Sequence, residues 1–428
     1  MSSPLPLSPA SSATPSIAAT TAPAAVPPSG AARLVSLDAL RGFDMFWILG
    51  GDAVIQILGL KLVHFPPFPL LAAQFDHKAW AGFAFYDLIF PLFVFIVGAS
   101  LALSLSRTIE QHGRAEAIKR VLIRTALLFV LGIFYSGGFT TPWPGIRLLG
   151  VLQRIALAYG GAGLLFCFFR PRALAVITVG LLVGYWALLA FVPIRDIQLD
   201  TTALAARLHV EKPTIEQAHA AYDATTARVT GHFEPGRNLT NHLDFKYLPG
   251  RLYDTYWDPE GMLSTLTGIA TCLLGVFAGL LLRRTDLNER QKLGRLVLAG
   301  VMALTLGWIW HMGFPVVKKI WTSSFVLVAG GYSLLLLAAF YYMVDMRRWR
   351  GWCQPFIWIG MNAITLYIAA NIVRPRTLAQ RFAGGSVKTW LDTHLAAGFG
   401  DLAIALVGLA LVLWLARFLY RRQIFLRV

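Results

Sequence analysis

The run FAFYDLIFPLFVFIVGASLALSLS (83–106) carries a single charged side chain, Asp87. Wound as a helix at about 1.5 Å per residue, it crosses about 30 Å of hydrocarbon with every backbone polar group bonded inside the segment. Comparable apolar stretches lie at 34–60, 117–136, 146–169, 172–192, 262–282, 293–312, 321–344, 352–373 and 402–420. The sequence therefore predicts an all-α polytopic membrane protein with about ten transmembrane helices. Composition agrees, since 56% of the 428 residues are hydrophobic and only 14% are charged, against about a quarter charged in a soluble domain. A soluble enzyme is excluded. So is a disulfide scaffold, because Cys167, Cys272 and Cys353 all lie in or beside apolar runs and read as small buried hydrophobes.

The net charge of +16 does not signify nucleic acid as a partner, because the basic residues cluster between apolar segments instead of covering one polar face. One alternate set of loops holds Arg107, Arg114, Lys119, Arg120 and Arg124, then Arg283, Arg284, Arg290, Lys292 and Arg295, then Arg347, Arg348 and Arg350. The other set is sparser, apart from Arg374, Arg376, Arg381 and Lys388 in its last loop. By the positive-inside rule both termini are expected in the cytoplasm. Residues 1–32 are mostly Ala, Ser, Pro and Thr with no charge, which predicts a disordered cytoplasmic tail and not a signal peptide. One long outer loop, 193–261, has ten acidic against seven basic residues and a helical stretch from Thr214 to Arg228, and is expected to form a lid or cap. Its sequon, Asn238-Leu239-Thr240, reads as accidental. The absence of an internal repeat argues against an inverted-repeat transporter.

A charge within hydrocarbon costs at least about 2.5–3.5 kcal/mol and asks for a partner, a cavity or a function. In a regular first helix Asp38, Arg41, Met45 and Asp52 form one polar stripe. Asp38 and Arg41, three residues apart, can simply pair, whereas Asp52 has no basic residue one turn away. In IRLLGVLQRIALAY (146–159), Arg147 and Arg154 are seven residues apart and share a helical face with Gln153 beside them. Asp87 can cap the second helix, and Asn362 can bond between helices. Of nine histidines, His112, His209, His219, His232 and His242 fall in loops and read as solvated, while His64, His77, His311 and His394 fall near the outer side. None has metal-ligand spacing, so no metal is expected. His77 stands out, just ahead of the second helix and level with Asp52.

The segments RLVSLDALRGFDMF (33–46), His77-Lys78-Ala79-Trp80-Ala81-Gly82 leading into Asp87-Leu88-Ile89-Phe90-Pro91, IRLLGVLQRIALAY (146–159), LPGRLYDTYWDPEGMLSTL (248–266), GMNAITLYI (360–368) and RRQIFLRV (421–428) follow in this order. Together they resemble the transmembrane catalytic region of heparan-α-glucosaminide N-acetyltransferases and their bacterial relatives. The resemblance implies a transmembrane acyltransferase domain over 33–428 that takes acetyl-CoA from the cytosol and acetylates an amino sugar or other glycan on the far side of the bilayer. His77, with Trp80 and Gly82, matches the family's H-x-x-W-x-G motif and is implied to be the essential histidine. Asp52 stands where relatives have asparagine, and on this reading orients His77 or meets a cationic acceptor. Arg41 and Arg124 are implied partners of the nucleotide phosphates. Gln153 and Arg154 would line the path of the pantetheine arm, and Trp80, Asp87 and Asn362 would contact the acceptor. The bacterial inner membrane is the expected location, with a homodimer as a possible assembly. Two rival classes are a polytopic transporter, which would move an intact solute, and an O-acyltransferase of an exported polysaccharide.

Overall fold

A computed structural model describes residues 34–63, 65 and 67–425. The tail expected over 1–32, His64 and the last three residues of RRQIFLRV lie outside the described residues. Among the described residues the structure is mostly helical, and eight helices are long and apolar enough to span a bilayer: Val35–Leu62, Phe85–Tyr135, Val151–Phe168, Pro171–Phe191, Thr265–Arg283, Glu289–His311, Ser323–Met346 and Phe399–Arg421. Gln354–Met361 and Ala363–Val373 form a ninth candidate, bent by 82° at Asn362. At 51 residues, Phe85–Tyr135 would run about 77 Å if straight, far more than one crossing. It is broken at Gly113, whose φ of 83° and ψ of 173° are not helical. Arg120 Nη1 donates to Thr108 Oγ1 at 3.2 Å although twelve residues separate them, so the two arms fold back on each other. This turn restores the expected stretches 83–106 and 117–136 as separate crossings.

Lipid-facing sides are apolar, as the medium requires. Val176 and Phe191 on one helix, and Leu298 and Met302 on another, are more than half exposed. Inward, small residues let backbones touch. A Cβ at Gly98 would lie 1.9 Å from the Cys272 carbonyl oxygen, and one at Gly275 would lie 1.9 Å from that of Phe95. Gly42 and Gly360 interlock the first span with Gln354–Met361 in the same manner. Close approach of this kind replaces the hydrophobic driving force that lipid removes.

The first span is irregular. Trp47–Gly51 is a π turn with Gly50 at φ 128°, so the single polar stripe expected for Asp38, Arg41 and Asp52 is interrupted before Asp52. A second correction concerns Ile146–Gly150, which is extended, the helix starting only at Val151. Arg251 N–H donates to the Ile146 carbonyl at 3.0 Å. That pairing holds Arg147 off the helix and cancels the shared face expected for Arg147 and Arg154.

The 193–261 segment is a small folded cap. Ile194–Arg195 pairs antiparallel with Arg228–Val229; helices Thr201–Leu208 and Ile215–Ala224 lie between the two strands in the chain, and Leu239–Tyr247 follows them. Asp200, Thr214 and Asn238 cap those helices by accepting backbone N–H groups three residues on. Leu199, Leu204, Tyr222, Phe245, Tyr256 and Trp257 make its core. Asn238 is fully buried and also donates to the Glu234 carbonyl at 2.9 Å; the sequon has a structural use.

Candidate active site

Chain geometry brings two loops together at the cap end of the bundle. Gly82, at φ 115°, donates its N–H to the Val316 carbonyl at 2.9 Å, and Ala81 pairs with Val317. Glycine suits that backbone because the left-handed region penalises a Cβ. The 315–322 loop is itself fixed by Thr322 Oγ1, which accepts from Val317 N–H at 3.0 Å and donates to the Pro315 carbonyl at 2.9 Å. This zipper delivers Lys318 to His77.

His77 is half-exposed, with Nδ1 2.8 Å from Asp87 Oδ1. The carboxylate behind it is 1% exposed. Asp87 Oδ2 accepts the N–H groups of Ala84 at 3.1 Å and Lys78 at 3.3 Å. One carboxylate thus caps the helix and anchors the imidazole. Lys318 Nζ lies 3.1 Å from His77 Nδ1, 3.4 Å from Nε2 and 3.5 Å from Asp87 Oδ1. Burial pushes its ammonium below the usual lysine range, with Asp87 pulling the other way. The Tyr86 ring packs 4.9 Å from the His77 ring, and its hydroxyl donates to Asp52 Oδ2 at 2.9 Å. Asp52 therefore addresses His77 only through Tyr86. The direct partner is Asp87.

These groups face a cavity of about 540 Å³, within the range of small-molecule sites. Its inner wall is apolar, with Met45, Ile89, Phe93, Leu152, Ile155 and Ile364, while His77, Arg147, Glu260, Lys318 and Lys319 supply the charges. Arg147 donates to both Asp258 oxygens at 2.8 and 2.7 Å and to Glu260 Oε2 at 2.6 Å. A bidentate guanidinium pairing of this kind is directional as well as strong. Burial, with Asp258 beside it, pushes the Glu260 carboxyl up to about 7.

The other expected site residues lie elsewhere. Arg154 is 1% exposed and spends its donors on Ser264 Oγ at 2.6 Å and on the carbonyls of Ser264, Pro259 and Gly261, with its guanidinium 5.1 Å over the Trp321 ring. It closes the 259–264 loop and is not among the residues lining the His77 cavity. Gln153 is buried against Gly132. Arg41 donates to Ser100 Oγ at 2.6 Å and to Asp38 at 3.3 Å, as the pairing alternative held. Arg124 belongs to a second groove toward the arginine-rich end. Trp80 does not reach the cavity; its Nε1 donates to the Phe233 carbonyl at 2.8 Å and its ring meets Trp257, pinning the cap. Asn362 is buried at the 82° break, with Ile364 and Tyr367 just beyond it in the cavity wall. No group of three or more His, Cys, Asp or Glu suited to a metal is found among the described residues.

Comparison with known proteins adds to this geometry. A family described as "Domain of unknown function (DUF5009)" matches residues 33–187. The heparan-alpha-glucosaminide N-acetyltransferase of Mus musculus is 26% identical over 326 residues, 70% of this chain and 49% of the mouse protein. That of Homo sapiens is 25% identical over 388 residues, 83% of this chain and 56% of the human protein. The chain is a distant relative of these two proteins. It spans about half the length of the curated relatives it matches.

Sequence reasoning passed over Lys318, Tyr86 and Glu260. The signal for Lys318 was present: two adjacent lysines in PVVKKIW (315–321) at the edge of a span, in a set of loops otherwise poor in cations. Glu260 was within the quoted LPGRLYDTYWDPEGMLSTL segment but had no visible partner until Arg147 left its helix.

Proposed function

We propose that this chain is a membrane acetyltransferase that moves an acetyl group from acetyl-CoA to the amine of an amino sugar or related glycan. The observation that carries the reading is the His77–Asp87–Lys318 cluster on a mostly apolar cavity, in a distant relative of N-acetyltransferases. The donor supplies a thioester carbonyl, and the apolar wall from Ile89 to Ile155 suits the slender arm that bears it. With Nδ1–H donating to Asp87, His77 keeps the Nε2 lone pair for the acceptor.

An amine at neutral pH is mostly ammonium and cannot attack until it loses a proton, so a positioned base is worth roughly 10²–10⁴ in rate. The acceptor ammonium first releases one proton to solvent; as the resulting neutral amine bonds its nitrogen to the acetyl carbon, His77 Nε2 takes a second proton from that nitrogen. The C–S bond then breaks, and the proton passes from the imidazolium to the departing thiolate, leaving an amide and a thiol. Asp87 steadies the transient imidazolium. Lys318 offers N–H donors for the negative charge that develops on the carbonyl oxygen. Glu260, on the same cavity and paired with Arg147, presents a carboxyl oxygen that can accept an N–H of the acceptor.

The charge distribution supports a bacterial inner-membrane location, with both termini cytoplasmic and the cap outside. Alkaline phosphatase fused within 193–261 would then be active, and fused after Val428 inactive; the reverse pattern overturns this orientation. The activity is tested with purified protein, labelled acetyl-CoA and a panel of amino sugars. Labelled N-acetyl sugar is the expected product. Labelled ester in place of amide would favour O-acylation. Folded protein that transfers no label but moves sugar into proteoliposomes would make it a permease.

A further inference from the structure

Besides the main cavity, the two arms of the Gly113 hairpin enclose a groove of about 320 Å³. Arg120 and Arg124 are four residues apart and lie on one face of the second arm. Ser104 and Thr108 answer them from the first arm, and Tyr159 forms the floor. Arg120 Nη1 donates to Thr108 Oγ1 at 3.2 Å and its Nε to Glu116 at 3.3 Å. The Arg124 guanidinium lies 4.9 Å over the Tyr159 ring, and its buried Nε has no hydrogen-bond partner. Below the arginines the rim is apolar and open sideways, with Ile123 50% and Leu127 51% exposed.

We propose that this groove holds the phosphodiester headgroup of an anionic glycerophospholipid drawn from the bilayer, with an acyl chain along Ile123 and Leu127. A guanidinium with an unpaired N–H beside exposed apolar side chains calls for an anion, and arginine suits phosphate because its N–H fork matches the oxygens. Basic pockets between membrane helices are where lipid headgroups bind. The lateral apolar opening decides between sources of phosphate. A nucleotide would bring a polar base and ribose to a wall of Ile123 and Leu127, whereas a lipid brings its own chain. The site is separate from the His77 cavity and stands whether or not the acetyltransferase reading does.

Native mass spectrometry on the detergent-purified full chain, with added phosphatidylglycerol or phosphatidylcholine, tests it. Phosphatidylglycerol is expected to be retained preferentially, and Arg124→Gln and Arg120→Gln each to cut retention about tenfold, the loss of one charged hydrogen bond. Arg284→Gln, at the same end but paired with Asp286, should retain lipid like the parent. Equal retention by the Arg120 and Arg124 variants, or equal retention of phosphatidylcholine, overturns the proposal. So does displacement of the lipid by inorganic phosphate or acetyl-CoA at matched concentration, which would make the groove a site for soluble phosphates. If Arg124→Gln fails to fold, the half-exposed Arg120 carries the test alone.

Discussion

Two places in this molecule concentrate charge near the membrane, and they are built in opposite ways. Around Arg154 every hydrogen-bond partner is a carbonyl or hydroxyl of the 259–264 loop, and the side chain is sealed at 1% exposure. Around His77 the buried member is the carboxylate, while the imidazole stands half-exposed on a cavity. A charge enclosed by neutral acceptors holds chain segments together. A charge that anchors a half-exposed base leaves one face of that base for a ligand. The contrast separates groups placed to meet a ligand from groups that hold the fold, a division that counting intramembrane charges cannot make.

The strongest way to break this contrast is His77→Ala. Acetyl transfer should fall by about 10²–10⁴ with little change in thermal midpoint, since the loop is held by the Gly82–Val316 bond and not by the imidazole. Transfer at the parental rate would end the catalytic reading. Melting can be followed by a thiol-reactive dye, because all three cysteines are free and buried and become reactive on unfolding.

Arg154→Met is the complementary change. It strands several loop carbonyls and should cost about 3 kcal/mol of stability, a factor of about 10² in the folded ratio, while transfer per folded molecule stays near parental. A normal melt with abolished transfer would put Arg154 in the chemistry after all. Lys318→Met should lower transfer about tenfold or more without loss of acceptor affinity, as expected for a donor used only in the transition state. A rise in KM alone would make it a binding residue.

The cap gives a pH test. Asp244 has Oδ1 accepting from Met262 N–H at 2.9 Å and Oδ2 without a partner, and burial pushes its carboxyl up to about 7. The folded chain keeps a proton that an unfolded aspartate releases near pH 4. The contribution of this carboxyl to folding stability therefore falls as pH rises from about 4 to about 7 and is flat above that range. Asp244→Asn should remove this fall; a melting profile from pH 5 to 8 identical to that of the parent would contradict it. The smallest effect belongs to Tyr86→Phe. Cutting the Asp52 bond but keeping the ring beside His77 should change transfer only a few-fold, and a loss near that of His77→Ala would put Asp52 in the proton path.

The crossings were legible because each apolar run is long enough to span and has polar punctuation, and the motif drew attention to His77, which the fold places beside Asp87 on a cavity. What escaped depends on where regular helix stops. Periodicity assumes an unbroken helix, and Gly50 in the first span and the Ile146–Gly150 segment both violate that assumption for tertiary reasons. Arg147 and Arg154 were assigned one face by a helix that begins only at Val151. Lys318 reaches His77 from 241 residues away, through a backbone zipper that leaves no mark in local composition.

The turn at Gly113 also bears on how the chain enters a membrane. Each arm beside it is apolar, and the connection between them is too short to hold a folded segment. During synthesis the pair can partition from the translocon as one helical hairpin, and in the proposed orientation Arg107, Arg114, Lys119 and Arg120 stay on the side where translation occurs. Neither arm has to move a strong cluster of cations across the bilayer, and the groove between them is complete before the cap has been made.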